Sequence, residues 1–220
     1  MTTKPLTKPR FRGVSHEISC YLSALAGTYL VSQARGPGER TDALIGATIY
    51  SLCLFFLYAA SALYHRPNWS PTARARMRRI DHLAIYLLIA GTATPFALLS
   101  LQGAQRSTLL LVLWLAALAG ITKTLLWKNA PKALSAVIYV LMGLLAVPSL
   151  SRVGEVTGPE PVRLIIMGGV LYVAGAVVYA AKRPNPFPKT FGYHEIFHAF
   201  VIAASVCHFA AILQLIKSIR

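Results

Sequence analysis

The sequence predicts an all-α membrane protein, a bundle of seven transmembrane helices with a cytoplasmic N-terminus. Three observations lead there. Of 220 residues, 55% are hydrophobic and 13% charged, against about 25% charged in an ordinary soluble domain. Seven stretches approach the ~20 apolar residues that cross a hydrocarbon core. The 22 Lys and Arg residues are divided unequally between the two sides those stretches define. A surface this poor in charge does not cover a soluble core, which excludes an ordinary cytosolic enzyme and a disordered basic tail. The net charge of +15 would suit nucleic acid if it formed one patch. The basic residues instead stand in short runs between apolar stretches, so no nucleic-acid partner is expected.

The first stretch, 17–34, follows a basic tail. It is long for the apolar region of a signal peptide, and no A-x-A-like cleavage site follows it. Six further spans are expected at 43–65, 81–101, 107–127, 133–150, 164–181 and 194–216. Each is read as helix, because a lone strand leaves its backbone unsatisfied in lipid. Lys123, inside the fourth, has to snorkel to the surface. Breakers stand between the spans at Gly36-Pro37-Gly38, Asn68 to Pro71, Asn129 to Pro131, Gly158 to Pro161 and Pro184 to Pro188. The expected organisation is a short basic tail (1–16), one seven-helix membrane domain (17–216) and a short outer tail (217–220).

Orientation follows from the basic residues. Fifteen lie on the side of the N-terminal tail and seven on the other. That excess places the N-terminus in the cytoplasm and the chain in the cell membrane as a multi-pass protein. It also leaves a basic inner face suited to anionic lipid head groups, so membrane lipids are the expected partners. Cys20, Cys53 and Cys207 all fall inside spans. An odd number of cysteines in apolar surroundings reads as packing residues, not as a disulfide framework.

An ionisable group at the centre of a span costs ~2.5–3.5 kcal/mol on insertion scales, so such groups are functional candidates. Here the set is His16, Glu17, His65, Asp81, His82, His194, Glu195, His198 and His208. With the predicted topology, all but His208 belong to one leaflet. His194 and His198 are four residues apart and share a helix face, as do Ser61 and His65. Two histidines so placed can hold one metal ion, and His65 is the natural third ligand from a second helix. Three imidazoles and a water make an open zinc site of the catalytic kind. Asp81 is the acid best placed to take a proton from that water, and Ser61 can hold a neighbouring group or a substrate carbonyl. The plainer readings are an N-cap for Asp81 and a packing serine for Ser61. Glu17 and Glu195 read as first-turn acids favoured by the helix dipole. His16 reads as interfacial, and His208 as a buried hydrogen-bonding residue.

These residues form recognisable motifs. Ser61-Ala-Leu-Tyr-His65 closes the second span. Arg79-Ile-Asp81-His82 leads to Ala90-Gly-Thr-Ala-Thr-Pro-Phe96 in the third. Phe191-Gly-Tyr-His194-Glu-Ile-Phe-His198, followed by Ser205-Val-Cys-His-Phe209, forms the last, and Val14-Ser-His-Glu-Ile18 opens the first. Together they resemble the hemolysin III branch of the progestin and adipoQ receptor family, over nearly the whole chain. The resemblance implies seven helices, zinc near the inner face held by His65, His194 and His198, Asp81 facing the zinc-bound water, and Ser61 beside it. It also implies a zinc-dependent, ceramidase-like hydrolase of lipid amide or ester bonds, active in membrane lipid homeostasis, with substrate entering from the bilayer. Two other classes stay open: a receptor-like membrane sensor with structural zinc, and a pore-forming or cytolytic protein. Nothing in the sequence sets an oligomeric state.

Overall fold

The computed structural model describes residues 8–35, 40–127 and 131–219. Among these the regular structure is helical, apart from an isolated bridge between Phe187 and Phe191. The helices are α1 (Val14–Ala34), α2 (Thr41–His65), α3 (Pro71–Ser100), α4 (Gly103–Leu126), α5 (Lys132–Leu144), α6 (Leu150–Thr157), α7 (Pro159–Ala181) and α8 (Tyr193–Ser218). A short 3₁₀ turn, Val147–Ser149, joins α5 to α6. The predicted turn at Gly36-Pro37-Gly38 and residue Asn129 lie outside the described residues.

Six segments are long and apolar enough to cross a membrane: α2, α3, α4, 134–157, α7 and α8. The fourth of these, the fifth predicted span, is interrupted where Pro148 stands in the 3₁₀ turn, since proline has no N–H to give the helix. It also runs seven residues past the predicted end at 150. The first predicted span folds as α1, a helix of 21 residues. Ser15, His16, Glu17, Ser19 and Ser23 break up its apolar run, which keeps it out of that set.

The third helix begins ten residues before its apolar stretch. Ser70 is its N-cap, accepting a hydrogen bond from the Ala73 N–H (3.3 Å), and Pro71 takes the first helical position, where a missing N–H is harmless. Thirty residues span about 45 Å, well beyond a ~30 Å hydrocarbon core. The excess carries Arg74, Arg76 and Arg78 into exposed positions. Asp81 therefore lies three turns inside α3, and the N-cap reading of that residue is corrected. Lys123 does not reach for the surface alone, because its ammonium donates to Ser135 Oγ on α5.

Packing follows chain order. Helix α1 lies along α2, α2 along α3, α3 along α4 and α7 along α8, and α8 returns against α1 to close the bundle. The main core joins Leu30, Tyr50, Leu54, Leu57, Leu88, Val201 and Ile212; a smaller one joins Tyr86, Ala90, Ala117 and Met142. Small residues bring helices close, as expected where lipid supplies no hydrophobic drive for association. A Cβ on Gly91 would stand 2.7 Å from Cys53 Sγ, so α2 and α3 meet through that pair. Cys53 is thus a packing residue, as predicted. The outward faces are apolar instead of charged: Leu52, Leu111, Leu115, Leu118, Val170 and Val177 are all exposed.

Candidate metal centre

Helix ends build the site. α2 stops at His65, with Ser61 one turn earlier on the same face. α8 starts at Tyr193, so His194 and His198 occupy its first two turns. The two ends meet. His65 Nε2 and His194 Nε2 are 3.0 Å apart, and the ring centroids of His65 and His194 lie at 4.6 Å, of His194 and His198 at 4.5 Å, and of His65 and His198 at 5.2 Å. One nitrogen from each of the three falls within 4.8 Å of the others. His65 and His198 are buried, and His194 is half-buried.

The other two predicted site residues adjoin one another. Ser61 is buried, and its side chain faces that of Asp81 across the α2–α3 contact. His82, the neighbour of Asp81, offers its main-chain carbonyl to the Tyr139 hydroxyl (3.1 Å).

A fourth ring enters from α1. His16, read from sequence as interfacial, is buried. It stacks on His198 with centroids 3.7 Å apart and planes 6° from parallel, and its Nδ1 is 2.8 Å from Ser61 Oγ. Sequence offered one signal for this: a histidine in the first turn of an apolar stretch on the same predicted side. The spacing rule that joined the other histidines did not apply to a lone one.

Above the rings, the N-terminal segment is tied down. The Arg10 and Phe11 N–H groups donate to the carbonyls of Lys189 and Thr190 (both 3.1 Å). Arg12 pairs with Glu195 (2.5 Å), and Arg66 with Glu17 (2.7 Å). Glu195 also accepts from the Gly192 N–H (2.8 Å), closing the first turn of α8. The first-turn reading of Glu195 holds, and the ion pair adds a long-range tie. Lys8 donates to the Arg66 carbonyl (2.8 Å). Partial burial, then the charges of Arg66, Arg74 and Arg12, hold its pKa below the ordinary lysine value. Away from the cluster, His208 Nε2 lies 3.1 Å from the Ile165 carbonyl, the buried hydrogen-bonding role expected of it.

The donor set fits a zinc-like cation. Zn–N bonds of 2.0–2.1 Å in a tetrahedron set two nitrogens about 3.3 Å apart, close to the His65–His194 separation. His198 Nδ1 is buried with no hydrogen-bond partner in the protein, so the cluster has unspent donor capacity. Imidazole nitrogen is a ligand shared by zinc, copper, iron and nickel, so the ring set could hold a transition-metal ion but does not name which.

Bundle and site together define a class: an integral multi-pass membrane protein with a buried three-histidine cluster at one end. Comparison with known proteins narrows it. The chain matches the family described as Haemolysin-III related over residues 5–209, and it belongs to that family. It is 33% identical to the Hemolysin-3 homolog of Bacillus subtilis (strain 168), over 91% of this chain and 90% of that one. It is 32% identical to Hemolysin-3 of Bacillus cereus, over 91% and 88%. A more distant relative is the Monocyte to macrophage differentiation factor of Homo sapiens, 26% identical over 76% of this chain and 69% of that one.

Proposed function

We propose that this protein is a zinc-dependent hydrolase of lipid amide or ester bonds, working at the cytoplasmic side of the cell membrane. The observation that carries it is the convergence of His65, His194 and His198 from two helices, with Asp81 and Ser61 alongside. When bound, zinc would supply Lewis acidity, polarising a substrate carbonyl and lowering the pKa of water. His65, His194 and His198 would hold the ion. Asp81 would accept the proton released from the attacking water and pass it to the leaving group. Ser61 would orient Asp81 or hold the carbonyl. The substrate would enter sideways from the bilayer, since the described residues form one membrane bundle.

The same reading makes α1 the seventh span and puts the N-terminus in the cytoplasm. Tyr21, Leu22 and Leu25 are exposed, while His16, Ser19 and Ser23 on its other face are buried. Polar inside and apolar outside is the pattern of a lipid-facing helix, and it fits a single membrane domain over 17–216.

The test is product analysis. A panel of ceramides, phospholipids and acyl esters is incubated with zinc-loaded and with chelated protein. Release of a free fatty acid by the loaded protein alone supports the reading. No product from any lipid, by protein shown to hold zinc, turns it toward a sensor with a structural ion.

One observation bears on the pore reading. A buried polar row runs deeper into the bundle: the Tyr172 hydroxyl is 2.9 Å from Ser205 Oγ, and Tyr50 Oη donates to the Ser205 carbonyl (3.3 Å). The row spends its hydrogen bonds on its own members and on the backbone, which suits a packed interior. Ion flux across liposomes reconstituted with the protein, without lipid turnover, would favour the pore.

A further inference from the structure

We propose that His16 is a positioning residue of the metal centre, which fixes the ring plane of His198 by parallel stacking from α1. The inference rests on the metal reading above and adds a residue to it.

A metal ion lies in the plane of the imidazole that binds it. The rings of His16 and His198 are 6° from parallel with centroids 3.7 Å apart. An ion in the His198 plane is therefore displaced from the His16 plane by about the thickness of an aromatic stack, and the two rings cannot share it. His16 is not a fourth ligand, and it stands outside the group of three that converge.

What the stack supplies is orientation. A ligand histidine is ordinarily turned to its metal by a hydrogen bond on its second ring nitrogen, and loss of that bond costs about 10–100-fold in metal affinity. His198 Nδ1 has no hydrogen-bond partner in the protein and is the nitrogen free to take the metal, so no hydrogen bond there fixes the ring. Its ring is steered by neighbours, and the flat face of His16 is the closest of the rings around it, the others standing at 4.5 Å or more. His16 is itself pinned in two ways. Its Nδ1 bonds Ser61 Oγ at 2.8 Å, and Tyr58 meets its ring edge-on at 5.1 Å. The clamp thus links α1, α2 and α8, and Ser61 anchors it while facing Asp81.

The test uses the full chain in nanodiscs, titrated with cobalt(II). Cobalt reports its ligand geometry through visible absorption, and its affinity is read by competition with a chelator. In His16→Ala the expected results are a 10–100-fold loss of cobalt affinity and altered visible bands. His16→Phe restores a flat ring without the Ser61 bond, and affinity is expected to return to within a few-fold of wild type. Wild-type affinity and bands in His16→Ala would overturn the clamp. So would a His16→Phe protein as impaired as His16→Ala. Should His16→Ala fail to fold, His16→Phe is compared with His16→Leu, which lacks a flat ring, and equal affinities for that pair overturn the clamp. Failure of wild-type protein to take up cobalt or zinc is a separate result, which removes the metal reading itself.

Discussion

The two flanks of the bundle use their interiors differently. Where α1, α2 and α8 meet, the buried positions include His16, Ser19, Ser23, Ser61, His65, Glu195, His198 and Ser205. On the opposite flank α4 buries only Leu113, Ala117 and Gly120, and turns Leu111, Leu115 and Leu118 outward. In water that second arrangement would be a liability. In lipid, apolar exposure carries no penalty, and the driving force for helix association is packing and polar contact. One flank is therefore held together by polar groups with specific partners. The other is a sleeve, replaceable in detail so long as it stays apolar.

The sharpest way to break this contrast is at the rings. His194→Ala removes one of three convergent nitrogens. Zinc content, measured on purified protein, is expected to fall from about one ion per chain toward zero, because an open three-ligand site does not survive as two. Full retention would move the ligand role to another residue. Asp81→Asn comes next. It keeps shape and leaves the rings untouched, so zinc content should be unchanged while turnover on any verified lipid substrate falls at least ~100-fold, the usual worth of a general base. Unchanged turnover would remove Asp81 from that role.

How far the sequence foretold this contrast depends on the distance between partners. Apolar runs marked the spans, and i, i+4 spacing joined His194 to His198 and Ser61 to His65, because helical neighbours are local. Sidedness of charge brought α2, α3 and α8 to one end. The extension of α3 was hidden because Arg74, Arg76 and Arg78 read as loop, although Ser70-Pro71 is a helix start. Pro148 was a visible signal for the broken fifth span, and the apolar run masked it. The stack of His16 on His198 and the Arg12–Glu195 pair join residues at opposite ends of the chain. No local period reports such contacts, so His16 was assigned to the interface instead of the cluster.

The remaining predictions compare the flanks by stability. Glu195→Ala deletes the partner of Arg12 and the acceptor of the Gly192 N–H. Arg12 and Glu195 side chains are 21% and 3% exposed, so solvent replaces little of what is lost. The expected cost is about 1.5–3 kcal/mol, the range for hydrogen bonds to charged groups, read as a lower melting temperature in detergent. A cost near that of an exposed pair such as Arg152–Glu155, ~0–1 kcal/mol, would show that the N-terminal tie is ornamental to the fold.

Leu118→Ala tests the sleeve and carries the smallest expected effect. Leu118 is 58% exposed, so its truncation opens no cavity and removes little protein contact. A change within about 0.5 kcal/mol is expected, as for surface positions free of special features. A buried leucine such as Leu57, 5% exposed, should cost about 2–5 kcal/mol on the same truncation. The two melting curves together decide the point. If Leu118→Ala were as damaging as Leu57→Ala, α4 would be packing against something other than lipid, and the outer flank would have to be read as an interface.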